Sequence, residues 1–285
     1  LRDLDLTGAG LALRGDVTVS GIEGDTLTVT PDLQLDAANI SRFSGLAGRD
    51  LAGAVDVALS GDLQPLAGGF DLTADGTAQD LAVGIPQLDG LMRGAITLRA
   101  AVARDETGTV LRELVIDGQS VQLTAEATLQ TDASTGRFDI TLADLAQVQE
   151  GLSGPATLRG TLEETAARYA IDFTATGPGG SEAAGLLTAG KTEAGSITEL
   201  GFDGTASAER LAAFAPLAGR DIAGAARFDG QARYTLDGGA LLAEGRLDTE
   251  DLAVGIEAVD RIIGGTGLAL VDLDRNAEGL LTLRR

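Results

Sequence analysis

Cysteine, histidine and tryptophan are all absent from this sequence. Without cysteine there can be no disulfide, no thiolate nucleophile and no Cys/His zinc site. Without histidine there is no imidazole acid-base catalysis and no Ser-His-Asp triad. Aromatic residues make up only 3%, against 44% hydrophobic residues overall, so a core must be built from Leu, Val, Ile and Ala. Basic residues are also scarce: 21 against 43 acidic, a formal charge of −22. Such a chain repels phosphate backbones, and no nucleic-acid partner is expected. Part of the charge reflects composition bias, because Lys191 is the single lysine and Ala, Gly, Asp and Arg abound, as in a GC-rich genome. No apolar run approaches the roughly 20 residues of a membrane helix, and no signal peptide is visible. A cysteine-free chain suits an oxidising compartment. The chain opens on Leu1 and ends within an alternation from Leu280 to Arg285, and so reads as an internal piece of a longer protein.

What is present is period-2 alternation, the mark of strands with one covered face. It runs through Val17–Ser20, Leu27–Thr30, Val55–Leu59, Phe70–Leu72, Ile96–Arg99, Val121–Thr124, Phe138–Thr141, Tyr169–Phe173 and Leu268–Leu270. Gly, Asp and Asn punctuate these runs, as turns require. Three stretches instead space apolar residues by three: Ile40, Phe43 and Leu46; Leu142, Leu145 and Val148; Leu211, Phe214 and Leu217. These predict short helices, with Asp36, Thr141 and Ser207 as N-caps.

An internal repeat organises the chain. Leu46-Ala47-Gly48-Arg49-Asp50-Leu51-Ala52-Gly53 returns 171 residues on as Leu217-Ala218-Gly219-Arg220-Asp221-Ile222-Ala223-Gly224. Asp80-Leu81-Ala82-Val83-Gly84-Ile85 returns at the same offset as Asp251-Leu252-Ala253-Val254-Gly255-Ile256. The copies span about 37–100 and 208–271, within what reads as one elongated repetitive β-domain over 1–285. Leu145 to Gly160 is a weaker echo between them. Short connections predict mainly antiparallel, meandering strands. A repeat along the chain favours an elongated all-β object in which each unit packs on its neighbours.

At Phe214-Ala215-Pro216-Leu217-Ala218-Gly219-Arg220-Asp221-Ile222-Ala223-Gly224 the chain resembles the recurring unit of TamB-like proteins, the translocation and assembly module inner-membrane subunits of the AsmA-like superfamily. The first copy departs in having Gly45 where the second has Pro216. The resemblance implies a β-sheet curled into a taco-like half-pipe with an apolar inner face, with a few short helices. It also implies a periplasmic location in a Gram-negative bacterium, inside a larger protein anchored in the inner membrane. The function implied is a lipid-transfer conduit in outer-membrane biogenesis. The partners implied are phospholipid acyl chains and, through other parts of the whole protein, an outer-membrane barrel of the Omp85 type. No cofactor or metal is implied.

On this reading acyl chains lie against the inward side of the strands. The candidate lining is Val17, Val19, Val55, Val57, Leu59, Ile96, Leu98, Leu123, Ile140, Leu158, Ile171, Phe173, Leu268 and Leu270. Alternation alone also fits plain sheet-core positions. A structural or adhesive β-solenoid of the autotransporter kind is the alternative, although a solenoid repeats at about one coil rather than at 171 residues.

Catalytic motifs are weak. Gly185-Leu186-Leu187-Thr188-Ala189-Gly190-Lys191-Thr192 fits the phosphate-binding pattern G-x-x-x-x-G-K-[ST], which needs a strand before it and a helix after it. Turn-like Gly177 to Glu182 precedes it and strand-like Ser196 to Leu200 follows, so it reads as a hairpin with its tip at Gly190 to Gly195. Paired carboxylates for glycoside hydrolysis would lack aromatic sugar platforms. Gly264-Gly265-Thr266-Gly267-Leu268-Ala269 begins a calcium-repeat pattern but has Ala269 at the Asp position. No Gly-x-Ser-x-Gly elbow occurs. The chain is not expected to be an enzyme.

Overall fold

The computed structural model describes residues 2–8, 10–22, 27–192, 194–275 and 281–283. Leu1 and residues 280, 284 and 285 of the terminal alternation lie outside them. The chain packs as two units, residues 1–131 with 136–143, and residues 132–135 with 144–285.

The first unit is an antiparallel meander of β1 (Leu4–Gly8), β2 (Leu11–Ser20), β3 (Thr28–Ala37), β4 (Ala52–Gln64), β5 (Gly69–Ala82), β6 (Ala95–Asp105), β7 (Gly108–Gly118), β8 (Val121–Leu129) and β9 (Thr135–Leu142). Each strand pairs with the next in sequence. The second unit repeats the scheme with β10 (Ala156–Glu164), β11 (Arg168–Gly177), β12 (Ser181–Lys191), β13 (Ile197–Ala208), β14 (Ala223–Thr235), β15 (Leu241–Ala253), β16 (Thr266–Arg275) and β17 (Leu281–Leu283). The protein is thus all-β and antiparallel, and the nine alternating runs read between Val17 and Leu270 fall in strands, with only Leu27 lying just before β3.

Helices occupy alternate connections and gather at one end of each sheet. In the first unit these are a 3-10 turn at Ile40–Phe43, α1 (Ser44–Ala47) and α2 (Pro86–Leu91). In the second they are 3-10 turns at Leu145–Gln147, Pro178–Gly180 and Leu211–Phe214, then α3 (Ala215–Ala218) and α4 (Glu257–Ile263). The expected N-caps are corrected: Asp36, Thr141 and Ser207 lie inside β3, β9 and β13, because those strands run on to Ala37, Leu142 and Ala208. Asn39 and Asp144 cap instead, accepting from the amides of Ser41 and Ala146. Helices α2 and α4 were not foreseen.

The sequence repeat is a repeat of elements. The turn at Ile40–Phe43, α1, β4 and its bulge each recur 171 residues on. So do hydrogen bonds. Asp89 Oδ1 accepts from the Val83 amide at 2.7 Å, and Asp260 Oδ1 from the Val254 amide at 2.7 Å. Even the left-handed Asp80 (φ 49°) is matched by Asp251 (φ 48°).

Well-buried apolar side chains are few among the described residues, and four of the nine are alanines. Ala37, Leu91, Ile96 and Val121 in the first unit, and Leu152 and Ala208 in the second, sit at the helix ends. There the short helices and loops fold against the sheet. Away from them Ala101, Ala170 and Phe173 are also buried, and most other strand residues are half-buried or exposed. The accessible surface is 17,279 Å². Two separate compact domains of half this mass would together expose about 13,700 Å². The excess fits open sheets: among the described residues the strands make their contacts with neighbouring strands and the end helices, and no second layer packs on them.

Candidate functional site

Residues paired across an antiparallel ladder share a face, so the register decides which side chains lie together. In the first unit Leu13, Leu35, Val57, Gly76, Leu98, Ile116 and Leu123 pair one to the next across seven strands. Val17 pairs with Pro31, Val19 with Val29, Leu59 with Leu33 and Ala74, and Val55 with Ala37 and Ala78, on the same face. Ile96 follows from Ala78. Arg137 binds Glu126 from the other face, which places Ile140 on this one. All nine first-unit candidates therefore share one apolar face.

The opposite face is polar and laced with ion pairs. Arg99 Nε meets Asp75 Oδ1 at 2.8 Å, Arg137 Nη2 meets Glu126 Oε1 at 2.6 Å, and Arg112 binds Asp71. These exposed pairs contribute little stability each. They fix which face meets water.

In the second unit Leu162, Ile171, Leu187, Phe202, Ala232, Ala243 and Leu273 form the corresponding row. Leu158 and Phe173 stand on the same face, paired with Ala175 and with Gly160 and Gly185. Leu268 and Leu270 do not. They pair with Asp248 and Arg246 on the polar face and are 59% and 76% exposed. Alternation gives the period of a strand but not its phase, and the lining residue here is Ala269, paired with Leu247. The repeat offset carried this signal, since it maps Leu98 onto Ala269. The alternating runs also missed Leu33, Leu35, Ile116, Leu187, Phe202 and Phe228, all on the apolar faces.

A row of glycines crosses the second apolar face. Gly185, Gly204, Gly230 and Gly245 are paired in succession from β12 to β15. A Cβ on them would lie 2.2–2.6 Å from a neighbouring strand's carbonyl oxygen. In a regular sheet Cβ atoms point clear of the neighbouring backbone, so these strands are bent together along the row. The Phe228 ring folds over Gly230 and Gly245, and Phe202 meets Phe173 with ring centres 6.4 Å apart.

The phosphate-loop pattern is not a loop. Gly185 to Lys191 is the body of β12, hydrogen-bonded on both sides. Lys191 Nζ already donates to Glu164 Oε1 at 2.6 Å and Asp132 Oδ1 at 2.8 Å, and lies 4.8 Å from the centre of the Tyr169 ring. The lysine side chain is 5% exposed. Its hydrogen bond to Asp132, then that to Glu164, raises its pKa above the usual lysine range. The Glu164 carboxyl is held down to about 2, chiefly by Lys191 and then by Ser134. A depressed carboxylate contributes stability above its ordinary value of 4.5, and loses it as pH falls from there towards about 2. A raised lysine contributes below its ordinary 10.5 and loses that only in strong alkali. Urea titrations across this range should show a flatter acid limb for Glu164→Gln than for the parent. Lys191→Met should lower the urea midpoint at neutral pH. Unchanged limbs and midpoints would mean that the cluster is incidental.

Among the described residues no group of three or more acidic side chains is arranged to hold a metal ion, and no helix is long and apolar enough to cross a membrane. Compared with protein-family models, curated proteins and solved structures, the chain has no match.

Proposed function

We propose that this chain is a section of an envelope-spanning conduit that moves phospholipids between the inner and outer membranes during outer-membrane biogenesis. One observation carries the reading: each unit has an apolar face, continuous from strand to strand and left uncovered. Its side chains are mostly Leu, Val, Ala and Gly, so its relief is low. Removing each CH₂ of an acyl chain from water contributes about 0.8 kcal/mol. Because successive rows offer similar contacts, no row holds a chain much more tightly than the next, and lipids slide. Head groups stay in water at the margins. No residue is asked to make or break a bond.

The resemblance to TamB-like proteins supports the same reading. It adds the periplasmic setting, the curling of the sheet into a half-pipe, and the Omp85-type barrel as partner of the whole protein.

The test is native mass spectrometry of the purified protein with lipid extraction of the same sample. Phospholipid at reproducible stoichiometry is the expected result. A stable lipid-free monomer would overturn the reading and leave a structural or adhesive role as the better account.

A further inference from the structure

The helix end of each unit carries an exposed patch that the repeat preserves. Leu46, at the tip of α1, is 88% exposed, and its counterpart Leu217 on α3 is 53% exposed. Ile85 and its counterpart Ile256, just before α2 and α4, are 36% and 46% exposed. Large apolar side chains on a helix tip lose nothing by becoming polar unless something covers them. Here the same two positions stay apolar in both copies.

An arginine stands in each patch, Arg49 in one and Arg220 in the other, both exposed. The fold builds the juxtaposition. Gly84 adopts φ 73° and Gly255 φ 74°. A Cβ on Gly84 would lie 2.9 Å from the Asp50 carbonyl oxygen and 3.4 Å from Arg49 Cβ, and one on Gly255 would lie 2.6 Å from the Asp221 carbonyl oxygen. Glycine therefore lets the loop bearing the isoleucine seat itself against the turn bearing the arginine, twice.

Arg99, Arg112, Arg137, Arg233 and Arg246, on the sheets' polar faces, are each paired with a carboxylate, whereas Arg168 and Arg227 there have no ion pair among the described residues. Arg49 and Arg220 make no ion pair among the described residues, although Asp50 and Asp221 follow them directly in sequence. Nearby carboxylates are turned to backbone amides instead: Asp80 to Gly94, Asp89 to Val83 and Asp260 to Val254. What sets Arg49 and Arg220 apart is their recurrence beside exposed Leu and Ile, where a guanidinium can receive an anion of tetrahedral oxygens such as phosphate.

We propose that the helix-end rim of each unit holds the phosphate of a phospholipid head group, through Arg49 in the first and Arg220 in the second. Leu46 with Ile85, and Leu217 with Ile256, take the first methylenes of its acyl chains. The proposal rests on the lipid reading above and specifies where on each unit the head group is recognised. The apolar surface and the charge are both needed: one without the other would fit a fatty chain or a free phosphate.

The experiment compares dioleoyl phosphatidylethanolamine with dioleoylglycerol, which has the same chains and no phosphate, in native mass-spectrometric titrations of the full chain. The protein is the parent and the double variant Arg49→Gln/Arg220→Gln. The variant is expected to bind the phospholipid at least tenfold more weakly and dioleoylglycerol within twofold of the parent, with its urea midpoint unchanged. Equal losses for both lipids, or a lowered urea midpoint, would assign the arginines to packing and overturn the proposal. Unchanged binding of both lipids would overturn it too while leaving the conduit reading intact. A parent that binds neither lipid would remove the conduit reading itself.

Discussion

Leu98→Glu should empty the first apolar face of lipid without unfolding it. Leu98 stands mid-row, between Gly76 and Ile116. The position is half-buried, so a carboxylate there can keep its water while the face is bare. An acyl chain passing over it would strip that water, which costs several kcal/mol for a charged group. A penalty of only about 1.4 kcal/mol weakens binding tenfold. Native mass spectrometry should therefore show lipid occupancy down by about tenfold or more, with the circular dichroism of the β-sheet retained. Leu270→Glu is the matched control, because Leu270 shares the polar face with Arg246. Equal retention by both variants, or equal loss, would show that the register does not define the lipid path.

The second large effect is expected at the glycine row. In Gly204→Val the new Cβ would sit 2.2 Å from the Ala184 carbonyl oxygen and 2.7 Å from the Gly185 Cα. Both are backbone atoms in the adjoining strand, so no rotamer change relieves the clash. A cost of about 3 kcal/mol or more follows, a large share of the roughly 5–15 kcal/mol that holds a typical domain. Urea denaturation should show the second unit melting early. Gly195→Ala offers the contrast. Its φ of 80° strains alanine, but nothing lies within 4 Å. About 1 kcal/mol is expected there. Similar midpoints for the two variants would mean that the row is not bent as described.

Strands were legible in the sequence because each carries its own signal: Val55 to Leu59 alternates whatever its neighbours do. Helix starts were not, because Asp36 looks like a cap only if β3 stops before it, and the ladder to β2 carries β3 on to Ala37. Helices α2 and α4 are too short to show a period, although Asp89 and Asp260 at the repeat offset marked them. The apolar face was legible as a set of strands and illegible in phase. Leu268 and Leu270 alternate as well as Val17 and Val19 do, and only the pairing with Asp248 and Arg246 turns them outward. The partners of Lys191 lie 27 and 59 residues away in sequence, at Glu164 and Asp132. No local pattern announces them. The glycine row was invisible for the same reason. Each glycine is an ordinary strand interruption until the register sets four of them side by side.

Within each unit, among the described residues, every strand is held by the strands before and after it in the chain and by no others. Pulled from its two ends, such a meander has no central clamp that must rupture before the rest gives way. Load falls on the outermost strand, which peels away from its neighbour and passes the load to the next. Extension would thus proceed as a series of small releases of one strand each, at low force. A protein built this way can be stretched or sheared by its surroundings and re-form strand by strand, because each strand's partner is always its neighbour in the chain.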